Sequence, residues 1–256
     1  MKNPQAWDKI ASEYKTEVIS PLFDAEVNEF WSFLGKISHK NKKNALDLGC
    51  GPGNLIVQIH DRFKSVLGID FSLSMLQEAQ VKIHEIGILN VTLQKKNFLS
   101  PLNLKSKVDV VLAINSILAT HPRDTQKILK NVSGALKRGG YFLGIFPSLE
   151  SLREEYRHTY YRHLGKTNRK GSAREKTQKE LELEKSNLVL GVYHTGDMEQ
   201  KYYTLYELHA FFREAGIRLN RVGKVIYRSE FSHHSNPQPA VRRPRMWDWV
   251  VLGGKG

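Results

Sequence analysis

The stretch Asp47-Leu48-Gly49-Cys50-Gly51-Pro52-Gly53-Asn54 constrains this chain more than any other. It follows a short apolar run at 45–48 and opens an amphipathic stretch at 55–63. A strand ending in such a turn, with a helix beginning there, brings bare backbone up to a ligand and aims helix N–H groups at it. Glycine is needed where a Cβ would hold the ligand off or forbid the dihedral angles. The glycines stand at 49, 51 and 53. That is G-x-G-x-G, not the G-x-G-x-x-G of nicotinamide and flavin sites. Asp47, two residues before the first glycine, suits an ammonium group or a bridging water and is ill suited to a pyrophosphate. Asp70 ends the next apolar run, 23 residues after Asp47. A carboxylate at the end of the neighbouring strand can take both hydroxyls of a ribose. Phe71 beside it offers a face to an adenine ring. Together these residues describe a site for an adenosine ligand with a cationic, amino-acid-like tail and no diphosphate.

The rest of the chain predicts the scaffold. Apolar runs at 45–48, 65–70, 91–96, 108–114 and 141–146 alternate with helical stretches at 55–63, 72–85 and 125–136. Such alternation implies βαβ units, a parallel sheet and right-handed crossovers. Lys137-Arg138-Gly139-Gly140 is the turn before the fifth strand. Residues 1–43 read as a helical cap. Trp7, Ile10, Ala11 and Tyr14 share one face, and Phe23, Val27, Phe30, Trp31 and Leu34 form a second stripe. After Pro147 the pattern breaks. Residues 148–203 read as an inserted lid, helical to about 186 and then two short strands around Thr195-Gly196-Asp197. It should leave the same edge of the sheet as the ligand site and build much of an acceptor pocket. Thr204-Leu205-Tyr206-Glu207 is a capping box. Residues 204–256 complete the α/β core, with final strands at 218–228 and 246–252 that can be antiparallel neighbours. Trp247-Asp248-Trp249 reads as plain alternation, not chemistry. The expected fold is a doubly wound α/β sheet of seven mostly parallel strands, with the cofactor-binding core at 44–147.

Charge is the unusual bulk property. Thirty-nine Lys and Arg against 26 Asp and Glu give +13, which raises the odds of an anionic partner without choosing among nucleic acid, membrane surface and small molecule. One cysteine, Cys50, excludes a disulfide scaffold and a cysteine zinc cluster. The first ten residues hold no secretory apolar run, and no window is apolar enough to span a bilayer. A cytoplasmic protein with no membrane partner is expected.

Asp47-Leu-Gly-Cys-Gly-Pro-Gly53, followed by Gly68-Ile-Asp-Phe-Ser-x-x-Met-Leu76, resembles the class I S-adenosylmethionine-dependent methyltransferases. Lys137-Arg-Gly-Gly140 is similar to that family's L-x-P-G-G turn, and Trp7-Asp-Lys-Ile-Ala-Ser-Glu-Tyr14 to its entrance segment. The resemblance runs through residues 5–147 and more loosely through 204–256. It implies S-adenosyl-L-methionine as cofactor. Gly49, Cys50 and Gly51 would line its methionine end, with Asp47 beneath and Asn54 opening the helix. Asp70 would hold the ribose, Phe71 and Met75 would flank the adenine, and Tyr14 would close over the ligand. Asn97 and Phe98 end the third strand, where the family usually has an acid against the adenine amino group. Asn115 and Ser116 follow the fourth strand, where the family places residues near the transferred methyl. Asn115-Ser-Ile-Leu118 is not the N-x-x-[YF] signature of adenine-N6 enzymes.

Other candidates carry less. Cys50 reads as packing, because no base stands near it in sequence. His121, after the fourth strand, is the candidate general base. His233 and His234 are adjacent, so on an extended chain they point apart, and no metal site is expected. The expected function is in-line methyl transfer to a small-molecule acceptor, for which an anion would suit the charge. The alternative is methylation of RNA or another macromolecule, with Arg242, Arg243 and Arg245 on phosphates. A third reading is a non-catalytic cofactor-binding subunit.

Overall fold

Short runs of Val, Leu and Ile bounded by turns pair side by side, because backbone groups buried on both faces need partners from a neighbouring strand. The structure, a computed structural model, describes residues 20–104, 107–195, 198–228 and 245–256. Trp7, Tyr14, His233, His234, Arg242 and Arg243 lie outside the described residues. The strands are β1 (Ala25–Asn28), β2 (Asn44–Leu48), β3 (Ser65–Asp70), β4 (Val91–Lys95), β5 (Val108–Ile114), β6 (Leu136–Pro147), β7 (Val192–Thr195), β8 (Met198–Lys201), β9 (Ile217–Tyr227) and β10 (Trp247–Lys255). The helices are α1 (Glu29–Gly35), α2 (Asn54–Ile59), α3 (Leu73–Ile86), α4 (Pro122–Ala135), α5 (Leu149–Thr167), α6 (Lys170–Glu180) and α7 (Leu205–Glu214).

Among the described residues the main sheet has eight strands, in the order β1-β9-β10-β6-β5-β2-β3-β4. The pairs β2/β3, β3/β4, β2/β5 and β5/β6 are parallel, while β10 is antiparallel to both β6 and β9. The chain winds outward from β2 to β4 and then returns to place β5 on the other side of β2. That reversal opens a crevice at the carboxyl ends of β2 and β5, where doubly wound sheets bind ligands. One face is covered by α1, α2 and α3 through Phe30, Leu34, Ile56, Ile59 and Ile83. The other is covered by α4 and α7 through Ile128, Leu129, Val132, Leu208 and Phe212. No helix among the described residues is long and apolar enough to cross a membrane.

Two local expectations are corrected. The sheet has an eighth strand, β1, inside the segment read as wholly helical, and it pairs antiparallel with β9. Phe23 and Val27 have helical spacing but are 49% and 44% exposed, so no helical face is buried there. The helix begins only at Glu29, where the Asn28 side chain accepts the Phe30 N–H. Lys137-Arg138-Gly139-Gly140 is not a turn ahead of a strand but a bulge within β6. Val108 pairs with Leu136 and Val110 with Tyr141, and Gly139 has φ 71°.

The segment 148–203 leaves β6 at its carboxyl end. Ser148 caps α5 by accepting the Ser151 N–H at 3.0 Å. Helices α5 and α6 and the β7–β8 hairpin share a small core of Leu149, Leu152, Leu181, Leu183, Tyr193 and Tyr202. The returning limb then ties down the loop after β5. The Lys201 N–H donates to Leu118 O at 3.2 Å, and the Tyr203 hydroxyl donates to Ile117 O at 2.8 Å.

Candidate functional site

After β2 the chain turns through Gly49, Gly51 and Gly53 at φ 77°, 51° and 78° before entering α2. The Gly49 and Cys50 N–H groups both donate to Ile69 O of β3, at 2.7 and 3.1 Å. Two of the glycines are needed for different reasons. A Cβ on Gly49 would stand 2.3 Å from Ser116 Cβ, so the backbone there must be bare for the protein's own packing. A Cβ on Gly51 would meet nothing within 4 Å and would project into open space. That space is a cradle suited to a ligand.

Asp70 closes the cradle. Its Oδ2 accepts the Gly51 N–H at 3.0 Å and its Oδ1 the Ser72 N–H at 2.9 Å. One carboxylate therefore fixes both the glycine turn and the start of α3, whose cap is the Ser72 hydroxyl. Asp47 is 1% exposed and its Oδ2 has no hydrogen-bond partner among the described residues. Burial, and secondarily the charge of Asp70, push its carboxyl up to about 8. Burial, then Asp47 and Asp70, hold the Cys50 thiol well above its usual range, so it is not a thiolate nucleophile.

A pocket open to solvent on one side stands in front of this turn. Gly49, Gly51 and Asp70 form its floor, and Phe71, Met75 and Phe98 its apolar side. Phe71 meets Phe98 edge to face at 6.3 Å. Ile114, Asn115, Ser116 and Leu118, from the end of β5 and the loop after it, complete the lining. The Ser116 hydroxyl donates to Leu48 O, binding this wall to β2.

Eight of the residues anticipated from the sequence thus meet at one pocket: Gly49, Gly51, Asp70, Phe71, Met75, Phe98, Asn115 and Ser116. Asp47 and Cys50 are buried in the turn and do not reach its wall. Asn54 accepts Lys82 Nζ at 2.9 Å, and Lys82 also donates to Pro52 O, so this amide braces the turn. Asn97 is exposed, and its side chain accepts the Leu99 N–H at 2.9 Å in a local turn. His121 is exposed as the N-cap of α4, and its Nδ1 accepts the Arg123 N–H at 3.1 Å. It is not on the pocket wall.

Sequence reasoning missed the group behind the Asn115 wall. Asp248 is 6% exposed and accepts Asn115 Nδ2 at 2.7 Å, the Tyr227 hydroxyl and the Ser148 N–H. Burial pushes its carboxyl up to about 6 against those three donors. A signal was present. With a period of two, Asp248 shares its side of β10 with Val250, which is fully buried. Leu118 was also missed, although the apolar run Ile117-Leu118-Ala119 beyond the end of β5 marks a buried loop.

This site belongs to a recognisable kind of protein. A sequence family described as "Methyltransferase domain" matches residues 39–209, more than half of the chain. A probable S-adenosylmethionine-dependent methyltransferase of Saccharomyces cerevisiae is 29% identical over 123 residues, which cover 45% of this chain and 38% of that one. The matched part is thus well under half the length of the curated relative. Among solved structures, a putative S-adenosylmethionine-dependent methyltransferase from Listeria monocytogenes is similar with a TM-score of 0.60 and 22% identity, over 89% of this chain and 96% of that one. Magnesium protoporphyrin IX methyltransferase from Synechocystis PCC 6803 with bound SAH is similar with a TM-score of 0.60 and 14% identity, over 98% and 94%. The cradle at Gly51, the carboxylate at its edge and the apolar side of Phe71 and Met75 fit an adenosine ligand with a cationic tail. From its sequence and its fold, this chain belongs to the class I methyltransferases that take S-adenosylmethionine as cofactor.

Proposed function

We propose that the chain moves the methyl of S-adenosylmethionine to a small-molecule acceptor. The observation that carries this reading is how one side of the pocket is held. Its acceptor-facing wall, 114–118, is clamped by the returning limb of the 148–203 insertion through Lys201 and Tyr203. A narrow wall braced by an insertion suits a molecule that enters a cavity better than one that lies across a surface.

Each residue then has a task. Asp70 takes the ribose hydroxyls while fixing Gly51. Phe71, Met75 and Phe98 flank the adenine. Gly49 and Gly51 let the backbone approach the methionine tail. The cofactor when bound supplies a methyl already activated by its sulfonium charge. The protein must align the acceptor in line with it and keep water out, and such alignment is a large part of catalysis. His121 is a helix cap, so we assign it no proton-transfer role. Asp70→Ala is expected to weaken S-adenosylhomocysteine binding roughly 10- to 100-fold by calorimetry, since hydrogen bonds to a charged group are worth about 1.5–3 kcal/mol. Unchanged affinity would move the ribose elsewhere.

A second reading rests on charge. Lys166, Arg169, Lys170, Arg174 and Lys176 stand exposed where α5 passes into α6. Arg245, by contrast, pairs with Glu26 at 2.9 Å. The test is methyl-labelled S-adenosylmethionine incubated with the protein and fractionated extract. Label in the low-molecular-weight pool supports a small acceptor. Label in RNA, with affinity falling steeply as salt rises, supports the basic face.

A further inference from the structure

We propose that Asp248 is a positioning residue for the acceptor: it fixes the Asn115 carboxamide so that the amide oxygen is kept for an N–H or O–H of the molecule being methylated. This rests on the small-molecule reading above and names the chemistry of its acceptor.

The order of strands supplies the first argument. Along the carboxyl edge of the sheet, Asp70 ends β3, the glycine turn ends β2, Asn115 follows β5, and the insertion leaves β6. An adenosine on β3 with its tail on β2 therefore has Asn115 as the next group in the direction of the insertion. That is where an acceptor must stand.

The second argument is hydrogen-bond logic. The Asp248 Oδ2 receives both Asn115 Nδ2 and the Tyr227 hydroxyl, and the carboxylate also takes the Ser148 N–H. An ionised carboxylate only accepts, so Asn115 must turn its NH2 toward Asp248. Its Oδ1 is left buried and without a partner among the described residues. Buried carbonyl oxygens without partners are rare in folded proteins and call for a donor.

Backbone conformation supplies the third. Asn115 has φ 45°, a left-handed conformation that Asn tolerates and that clusters at functional sites. It is held there by its own N–H on Ile145 O at 3.0 Å. The residue is thus fixed at both backbone and side chain on a pocket wall.

Together these favour an amine or a hydroxyl compound as acceptor. A carboxylate or phosphate would set oxygen against oxygen. Asp248 is faced by Asn115 after β5, the Ser148 N–H at the start of α5, Tyr202 ahead of α7 and Tyr227 on β9. No cation among these offsets its charge, so acid should neutralise it and release the amide.

The test uses nitrogen-15 NMR on the full chain loaded with S-adenosylhomocysteine, with the Asn115 side-chain signals identified by their absence from Asn115→Asp. The Nδ2 protons should exchange at least about 10-fold more slowly than those of exposed Asn97, and Asp248→Asn should remove that protection. Methylammonium should shift the Asn115 signals and acetate should not. In the labelled-methyl assay, Asp248→Asn should lower kcat/KM roughly 10- to 100-fold and remove the fall in rate below pH 6, with S-adenosylhomocysteine affinity unchanged. Tyr227→Phe keeps the Asp248–Asn115 pair and should cause a smaller loss. Asn115 protons exchanging like those of Asn97, an equal response to acetate, or full transfer by Asp248→Asn would each overturn the proposal. If no extract fraction accepts label, the small-molecule reading falls while exchange and ion titration still decide the role of Asp248.

Discussion

Gly49→Ala is expected to cost about 3 kcal/mol of stability and to abolish measurable binding of S-adenosylhomocysteine. A side chain at φ 77° is left-handed and costs about 1–2 kcal/mol. The new Cβ would stand 2.3 Å from Ser116 Cβ, and forcing a methyl into a filled site costs about 1–3 kcal/mol. Ser116 cannot withdraw easily, because its hydroxyl is bonded to Leu48 O. The strain would therefore move the turn itself, and with it the Gly51 N–H on Asp70. Gly51→Ala is the control. Its Cβ meets no protein atom within 4 Å, so only the conformational cost of φ 51°, about 1–2 kcal/mol, remains. Its methyl would nevertheless occupy the cradle, and binding should be lost out of proportion to stability. Thermal melts and calorimetry on the two variants separate these outcomes. A Gly49→Ala protein that melts and binds like the wild type would refute the packing argument.

The second large effect belongs to Asp47. Its carboxyl is raised from 3.8 to about 8, so the folded protein holds a proton that the unfolded chain has released. Stability from this group is complete below about pH 4 and is lost as pH rises through 8. Between those limits each pH step costs about 1.4 kcal/mol. Asp248, raised to about 6, contributes in the same direction and is present in both proteins, so it cancels from the comparison. From pH 6 to pH 8 the wild type should therefore lose about 2 kcal/mol more than Asp47→Asn, or roughly 4–8 °C in Tm for a chain of this size. The amide keeps the shape and carries no charge at any pH. Parallel melting curves for the two proteins across this range would show that Asp47 is already ionised in the fold.

Much of this site was legible because its parts are local. A strand, a glycine turn and a helix start are adjacent in sequence, and the carboxylate that braces them ends the very next strand. Phe71 followed from its place beside Asp70, and Met75 from the family resemblance. What escaped reading depends on distance along the chain. Asn115 and Asp248 are 133 positions apart, and only the sheet order brings them together. The spacing of Phe23 and Val27 suggested a helix, yet pairing with β9, nearly two hundred positions later, makes that stretch a strand. His121 drew notice as a titratable group near the site. A histidine ring nitrogen can also serve simply as a helix cap, and that use is decided by backbone angles a sequence does not display.

The position of β10 has a consequence for how the molecule is made. It follows every other strand in sequence, yet it lies between β6 and β9, inside the sheet. During synthesis β2 to β6 can pair as they emerge, since each lies beside a strand already present. Until β10 arrives, β9 and β1 have no place on that assembly, and one edge of β6 stands open to other chains. Insertion of β10 closes that edge and delivers Asp248 to Asn115 in the same event. Closure of the sheet and completion of the proposed acceptor wall are therefore one step, and a nascent chain that stalls before it exposes both an aggregation-prone edge and an unfinished pocket.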